Sequence, residues 1–225
     1  MCGRFTLTVD PAQLIEQFGL AGPPPAALGP RYNVAPTQPV AVIANTDGPR
    51  HLELFQWGLI PSWAKDAKIG NSLINARAET LAEKPAFRTA LKRRRCLVLA
   101  DGFYEWQKLG SRKQPQYIQL KDGRPFAFAG LWESWRPAPD APPLHTCTII
   151  TTEPNSLMAE IHNRMPVILS PADYAAWLTP GELPAVEALA LLHSYPAEAM
   201  QARPVSTAVN SPARDEPACI LPLVA

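Results

Sequence analysis

Proline is the residue that most limits how this chain can fold. It fixes φ and removes a backbone hydrogen-bond donor, so it ends helices and favours turns, loops and strand edges. The chain carries 26 prolines among 225 residues, spread from Pro11 to Pro222. We therefore expect many short elements joined by fixed loops, and no long helices.

Short apolar and β-branched runs between the prolines predict the elements. Asp10 and Pro11 are typical of an N-cap and first helical position, and Gly19 is expected to end that helix. Further short helices are predicted before Lys92 and over 171–177 and 184–193. Strands are predicted at 2–8, 40–44, 52–57, 74–79, 96–100, 103–108, 116–120, 126–132, 145–152 and 167–169.

The rest of the chain is predicted to be irregular, including residues 21–38 and most of the chain after 193, where only 204–206 is extended. Many strands with few helices indicate an α+β protein. We expect a single domain over residues 1–225, built on a largely antiparallel, barrel-like sheet with a few short peripheral helices.

Charge and cysteine content exclude several classes of protein. The net charge of +1 gives no whole-molecule attraction to nucleic acid, so a polyanion would need a local basic patch. The four cysteines lie far apart without metal-ligand spacing, so we predict no metal and no cofactor. With no signal-peptide core and no membrane-length apolar run, we expect a cytoplasmic monomer with reduced thiols, nucleoid-associated if bacterial.

Cys2 directly follows Met1, and its small side chain favours removal of that methionine. Cys2 would then carry a free α-amine and a thiol on adjacent carbons. Such an aminothiol condenses with an aldehyde to an imine, and the thiol closes on the imine carbon to give a thiazolidine. The alternative is a small buried hydrophobe that begins the first strand.

The segment from Asp101 to Trp106 places a carboxylate among aromatic side chains. Strand alternation puts Phe103 and Glu105 on one face and Tyr104 on the other. Loss of solvation would raise the pKa of the carboxyl and suit it to proton transfer near neutrality. An edge-strand glutamate that faces water is the alternative.

Two further segments place polar groups on one side of extended backbone. Asn75, Arg77 and Glu79 would point the same way and suit a polar, anionic ligand, or they form a cap and salt bridge at the next helix. His162 and Arg164 would share a face ahead of a proline. Histidine suits acid–base chemistry at pH 7, although a lone histidine is more often structural.

Two other features have less specific interpretations. Trp63 lies in the loop 58–66, where it either contacts a partner or folds back on the core. The basic run 92–95 is expected to be a solvated helix end rather than a phosphate site.

Taken together and in order, seven segments resemble the SRAP family, the SOS response-associated peptidase domain or abasic-site processing proteins. The segments are residues 1–5, 31–36, 57–63, 74–80, 100–106, 161–166 and 204–206. They cover essentially the whole chain and include the cysteine at position 2.

The resemblance implies the SRAP fold and a sensor of abasic sites in single-stranded DNA. In this family the mature N-terminal cysteine attacks the ring-opened sugar aldehyde and forms a stable thiazolidine DNA–protein crosslink. Cys2 is then the nucleophile, Asn75 an orienting hydrogen-bond partner, Glu105 the proton shuttle and His162 the acid–base residue at the sugar. The implied DNA contacts are Arg4, Asn33, Trp63, Arg77, Trp106 and Arg164. Lyase activity and self-removal of Met1 are expected as side activities.

Two other functions remain open from the residues alone. One is an N-terminal-nucleophile peptidase or amidohydrolase, in which Cys2 attacks an amide with its own amine as base. The other is a module that binds single-stranded or modified DNA without covalent chemistry, using the arginines and Trp63. The sequence predicts no membrane partner and names no replication partner.

Overall fold

The computed structural model describes residues 2–223. The strands in this range are β1 (Arg4–Leu7), β2 (Arg31–Val34), β3 (Pro39–Ala44), β4 (Glu53–Trp57), β5 (Asn75–Arg77), β6 (Arg95–Ala100), β7 (Gly102–Leu109), β8 (Arg112–Leu120), β9 (Phe126–Trp135), β10 (Leu144–Thr152), β11 (Met165–Pro166) and β12 (Met200–Pro204). The α-helices are α1 (Pro11–Phe18), α2 (Arg88–Arg93), α3 (Ser156–Ala159), α4 (Tyr174–Trp177) and α5 (Ala185–Ala190), and 3-10 turns cover Ala67–Ser72, Ala78–Thr80, Pro171–Asp173, Ala197–Ala199, Thr207–Asn210 and Pro217–Ile220.

The helices are short, as the prolines predict, and their ends have local causes. The Asp10 side chain accepts a hydrogen bond from the Ala12 N–H at 2.7 Å, and Pro11 occupies the first turn of α1. Gly19 ends the helix with φ 60°, in the left-handed region that glycine tolerates. Across residues 2–223, every helix falls short of the length and apolar character that a bilayer crossing needs.

Five strands close into a barrel, in the order β4–β3–β6–β9–β10 and back to β4. Its pairs are antiparallel except the closing pair of β10 with β4, and the short strands β5 and β11 also pair with β10. A second sheet, in the order β12–β8–β7–β1–β2, is antiparallel throughout. The predicted α+β class with a barrel-like sheet is confirmed.

Both faces of the barrel strands are buried, which explains their continuous apolar sequences. Along β3, Val42 packs in the cluster that faces the second sheet, whereas Ile43 packs in the cluster under the helices. Phe5 of β1 enters the first of these clusters and contacts the Trp57 and Phe128 rings, with centroids 5.2 and 5.8 Å apart. This contact fixes the N-terminal strand against the barrel.

The prediction of irregular chain at 31–34 and at 200–204 was wrong, because both segments are edge strands of the second sheet. The polar sequence of β2 hides its pairing, since a distant residue satisfies its outer edge. The Asp215 carboxylate accepts hydrogen bonds from the N–H groups of Tyr32 and Asn33 at 2.5 and 2.9 Å. No local sequence pattern in β2 predicts Asp215 as its hydrogen-bond partner.

The expectation of a solvated basic run was wrong for Arg95, which is fully buried. Its guanidinium lies where α2 and α4 end and satisfies carbonyl groups that have no intrahelical partner. The acceptors are the backbone oxygens of Leu91, Lys92, Trp177, Thr179 and Gly181. Arg93 and Arg94 form ion pairs with Glu182 and Glu133.

Candidate functional site

Pairing of β1 with β7 brings Cys2 to Glu105. The register joins Arg4 to Tyr104 in an antiparallel pair, so residues before Arg4 run alongside residues after Tyr104. Cys2 is fully buried and Glu105 is only 2% exposed. The thiol and the carboxyl are close enough for the carboxylate charge to affect the pKa of Cys2.

A buried polar network sets the register of that pair. The Asp101 carboxylate accepts hydrogen bonds from the Thr6 hydroxyl at 2.5 Å and from the Thr8 N–H and hydroxyl, each at 2.6 Å. Tyr117 contacts the Thr6 hydroxyl at 3.1 Å, and a Cβ on Gly102 would overlap the Tyr117 hydroxyl. Sequence reasoning missed these residues, although the two-residue spacing of Thr6 in β1 and Thr8 just after it places both hydroxyls on one face.

Asn75 reaches the same place from the barrel. It begins β5, whose parallel pairing with β10 sets Asn75 opposite Ile149. Its side-chain amide donates a hydrogen bond to the Cys2 carbonyl at 2.8 Å. Its Oδ1 is buried and has no hydrogen-bond partner among residues 2–223. The amide therefore holds Cys2 with one end and offers an acceptor with the other.

His162 approaches Glu105 from the segment after α3. The backbone N–H of His162 donates to the Met158 carbonyl at 2.7 Å. The side-chain amide of Gln107, in β7, donates to the Glu160 carbonyl at 3.0 Å. The His162 charge acts on Glu105 and favours its ionised form. Four separate segments thus bring Cys2, Asn75, Glu105 and His162 together, and we call this group the N-terminal pocket.

Burial dominates the electrostatics of the N-terminal pocket. It raises the pKa of Glu105 above the ordinary value, against the opposing effect of His162. Burial also raises the pKa of the Cys2 thiol far above its usual range, and the Glu105 charge adds to the rise. The thiol is therefore protonated at neutral pH, and the carboxyl titrates nearer neutrality than a solvated glutamate. This pair can exchange protons with a bound reactant.

Trp63 and Arg77 are exposed, and the loop that carries Trp63 is held by hydrogen bonds of its backbone. Trp63 is 61% exposed, so the alternative that it folds back on the core was wrong. The loop is held by the Trp135 indole N–H, which donates to the Ala64 carbonyl at 2.7 Å. The Ile60 N–H also donates to the Thr146 hydroxyl at 2.9 Å. A fixed loop thus presents an exposed aromatic face.

Arg4 and Asn33 are held by the C-terminal segment, residues 205–223. The Asn33 amide donates to the carbonyls of Val209, Ser211 and Arg214, and its Oδ1 accepts from Arg4 at 2.9 Å. Asn33 is fully buried, so a direct DNA contact would require the segment to move. The DNA contact expected of Asn33 stays a prediction, whereas its anchoring contacts are part of the fold.

Trp106 is tied to the same segment by its indole N–H, which donates to Asn210 Oδ1 at 2.7 Å. Arg4 also donates to the carbonyls of Val209 and Asn210 at 2.7 and 3.1 Å. Arg164 forms a two-pronged ion pair with Glu79, whose contacts are both 2.9 Å. The 3-10 turn that contains Glu79 has no side-chain cap, so the expected cap was wrong, and the partner of Glu79 lies outside the segment 75–79. DNA contacts by Arg4, Trp106 and Arg164 remain predictions.

In the part of the chain that the structure describes, no three His, Cys, Asp or Glu side chains cluster as metal ligands would. The four cysteines are buried free thiols.

Comparison with known proteins gives consistent matches over the whole chain. A sequence model of the family described as SOS response associated peptidase (SRAP) matches residues 1–212. Abasic site processing protein YoqW of Bacillus subtilis is 49% identical over 222 residues, which are 98% of this chain and 99% of that protein. Abasic site processing protein HMCES of Xenopus tropicalis is 36% identical, with 87% of this chain and 67% of that protein covered.

A solved structure shares the architecture. The crystal structure of a protein from Bacteroides thetaiotaomicron has a TM-score of 0.90 to this chain at 29% identity, covering 99% of this chain and all of that one (100%).

Proposed function

This chain belongs to the SOS response associated peptidase (SRAP) family, and from that membership we propose that it captures abasic sites in single-stranded DNA as a covalent crosslink to Cys2. The observation that carries the proposal is the convergence of Cys2, Asn75, Glu105 and His162 from four separate segments. An aminothiol beside a proton-exchanging carboxyl is the chemistry that an aldehyde requires.

The reaction begins after Met1 is removed, when Cys2 carries a free α-amine. The ring-opened sugar of an abasic site presents an aldehyde, and the amine nitrogen adds to its carbon. The resulting carbinolamine loses its hydroxyl as water to give an imine. The Cys2 sulfur then adds to the imine carbon and its proton passes to the nitrogen, which closes the thiazolidine. One water leaves overall, and nothing is oxidised or reduced.

Glu105 shuttles the protons of these steps. The free α-amine has an ordinary pKa of about 7.7–8.0 and attacks only as the neutral base. An ionised carboxylate would favour the ammonium form, but burial raises the pKa of Glu105 and makes its ionised form less dominant. Burial at Cys2 also disfavours the ammonium form. Glu105 takes a proton from the amine and supplies it to the departing hydroxyl.

Asn75 and His162 act on the sugar and on the position of Cys2. The hydrogen bond from the Asn75 amide to the Cys2 carbonyl holds the nucleophile, and its Oδ1 offers a buried acceptor to a sugar hydroxyl or the freed amine. His162 donates a proton to the sugar oxygen as the ring opens. The same groups support reversal of the crosslink.

DNA is held by stacking and by a few phosphate contacts. The net charge of +1 indicates that the phosphate contacts are few. The exposed Trp63 provides a face for a base, which is worth about 1–3 kcal/mol per stacked base. Arg77 is exposed, so it can contact a phosphate without any rearrangement of the protein. Arg4 and Trp106 are further DNA contacts, next to the C-terminal segment to which they bond. Sequence preference is slight, because phosphate contacts carry no base information.

Two side activities belong to this proposal. Attack of the Cys2 sulfur on the Met1 carbonyl carbon would transfer the Met1 acyl group to sulfur and free the Cys2 amine. Hydrolysis of this thioester by water would then release Met1, which matches the peptidase in the family's description. An imine acidifies the neighbouring sugar carbon, so β-elimination gives AP lyase activity. Cleaved DNA on a denaturing gel reports the lyase activity. Self-removal is reported by an intact mass that lacks Met1 in the wild type and keeps it in Cys2→Ala, since a cellular aminopeptidase would process both.

The experiment mixes the purified protein with single-stranded DNA that contains one abasic site. We expect a shifted band that survives heating, and an intact mass that lacks Met1. Cys2→Ala should abolish the band, as should a tag left ahead of Cys2. Matched DNA without the lesion is the control.

Absence of the heat-stable band with the processed chain would overturn the crosslinking proposal. Equal, heat-labile binding to intact and abasic strands, unaffected by Cys2→Ser, would indicate non-covalent binding instead. Cleavage of amide substrates without any crosslink would indicate an N-terminal-nucleophile hydrolase.

A further inference from the structure

The Arg164 side chain is fixed at three points. Both terminal nitrogens donate to the two carboxylate oxygens of Glu79 at 2.9 Å, and one also donates to the Thr151 carbonyl at 2.7 Å. The side chain of Arg164 is only 13% exposed. Partial burial pushes the pKa of Glu79 up, but the hydrogen bonds from Arg164, a backbone hydrogen bond and the charges of Arg164 and Arg77 together outweigh it, so the pKa lies below its ordinary value. Glu79 is therefore charged at neutral pH.

The backbone of Arg164 holds the His162 ring. The Arg164 N–H lies 3.1 Å from His162 Nδ1, and the Arg164 carbonyl oxygen lies 3.3 Å from the same nitrogen. In the neutral ring, Nδ1 accepts from the N–H, which places the imidazole proton on Nε2. In the protonated ring, Nδ1–H can donate to the carbonyl instead. One residue thus supports both protonation states.

We propose that Glu79 is a positioning residue for His162 and acts by clamping Arg164, whose backbone selects the Nε2–H tautomer. The effect of Glu79 on crosslinking rests on the proposed function, whereas its effect on the tautomer of His162 does not. The clamp joins the 3-10 turn after β5 to the segment between α3 and β11. Asn75 begins the strand that leads into this turn, and His162 lies in the second segment, so the ion pair links the two parts of the chain that carry them.

The competing interpretation is that Arg164 is a phosphate contact whose charge Glu79 merely balances. That interpretation predicts tighter DNA binding once the carboxylate loses its charge. The clamp predicts a slower reaction at unchanged DNA affinity, because both terminal nitrogens of Arg164 already donate to partners within the protein. Glu79→Gln separates the two, since it removes the charge and keeps the shape.

The chain offers a matched control. Arg93 and Glu182 form another ion pair, at 3.0 Å, whose side chains are 62% and 53% exposed. Neither residue belongs to the N-terminal pocket. Glu182→Gln removes the same charge elsewhere and should leave His162 and the reaction unchanged.

The first measurement needs no DNA. Nitrogen-15 NMR of histidine-labelled protein distinguishes a protonated from an unprotonated ring nitrogen. In the wild type we expect an unprotonated Nδ1 and a protonated Nε2 at a pH where His162 is neutral. In Glu79→Gln the two resonances should move toward each other as tautomers mix, whereas Glu79→Asp should restore part of the separation.

The titration of His162 must be interpreted with its charged neighbours. Glu105 faces His162 from β7, and Arg164 lies on the same segment as His162. Glu79 forms the ion pair with Arg164, and the charge of Arg77 acts on Glu79. The titration is therefore compared between Glu79→Gln and Glu182→Gln at equal ionic strength. Only the first should change it.

The second measurement is the single-turnover rate of crosslinking against pH, with the affinity for abasic DNA measured on Cys2→Ala backgrounds. We expect Glu79→Gln to slow crosslinking about tenfold and to shift its pH profile, since misplacing a reacting group costs about that much or more. The DNA affinity should stay the same.

Unchanged histidine resonances together with an unchanged rate would overturn the inference, and so would a gain in DNA affinity at an unchanged rate. If wild-type protein forms no crosslink, the proposed function fails, while the NMR comparison still decides whether Glu79 selects the tautomer of His162.

Discussion

Two groups of polar residues flank the N-terminal strand, and they differ in how fully the chain satisfies them. In the N-terminal pocket, Glu105 is desolvated with a raised pKa, and Asn75 keeps a buried oxygen that no residue in 2–223 satisfies. On the other side, the Asn33 amide and the Arg4 guanidinium donate to carbonyl groups of the C-terminal segment, and Asn33 Oδ1 accepts from Arg4.

The difference separates chemistry from anchoring. A polar group whose hydrogen bonds are all made within the chain is fixed and stabilises the fold. Asn75 Oδ1, a buried acceptor without a partner in residues 2–223, costs stability and is open to a hydrogen bond from a bound substrate. Both groups contain residues that the family resemblance assigns to the site, so residue type alone does not distinguish them.

The largest expected effect is that of Glu105→Gln on the reaction. Loss of the proton shuttle should slow crosslinking by about 10²–10⁴-fold. Stability should hold or rise, because a buried carboxyl is replaced by a neutral amide. Single-turnover rates and thermal melts measure the two quantities. Equal losses in rate and stability would place Glu105 with the anchoring residues.

The next effect is that of Asn33→Ala on stability. The change removes the two N–H donors and the one acceptor of a fully buried amide, at about 1 kcal/mol each, so we expect a loss of about 3 kcal/mol in the free energy of unfolding. Denaturant unfolding measures it, with the exposed Asn71→Ala as control. The crosslinking rate of the folded fraction should change far less than in Glu105→Gln. A slower crosslinking reaction at an unchanged free energy of unfolding would mean that Asn33 acts in the reaction and does not anchor the fold.

The smallest effect is a pH trend in stability. The folded state binds the Glu105 proton more tightly than the unfolded state, because burial raises the pKa above the ordinary 4.5. Wild-type stability should therefore fall as pH rises from 4.5 through the raised pKa, and the loss should be complete above it. Glu105→Gln lacks this term, so its melting temperature should gain on the wild type as pH rises. A parallel pair of pH profiles would mean that Glu105 is not desolvated.

Much of the fold follows from local patterns. The capped start of α1, the hairpin of β3 and β4, and the long strands β7 to β10 agree with the predicted elements within a few residues. Alternation along β7 correctly separates Phe103 from Tyr104, which lie in different clusters. The edge strands β2 and β12 escaped prediction, because their hydrogen bonds are completed by residues far along the chain.

The sequence by itself determined the short elements, the kinds of reactive group available and the face of β7 that carries Glu105. Those properties follow from proline, from capping residues and from two-residue alternation, all of which act over a few positions. Only the tertiary structure decided which polar groups are satisfied: Asn33 bonds to carbonyls 176–181 positions away, and Arg164 bonds to Glu79 85 positions away. Whether a buried polar group has all its hydrogen-bond partners depends on such distant residues, so it is known only from the folded chain.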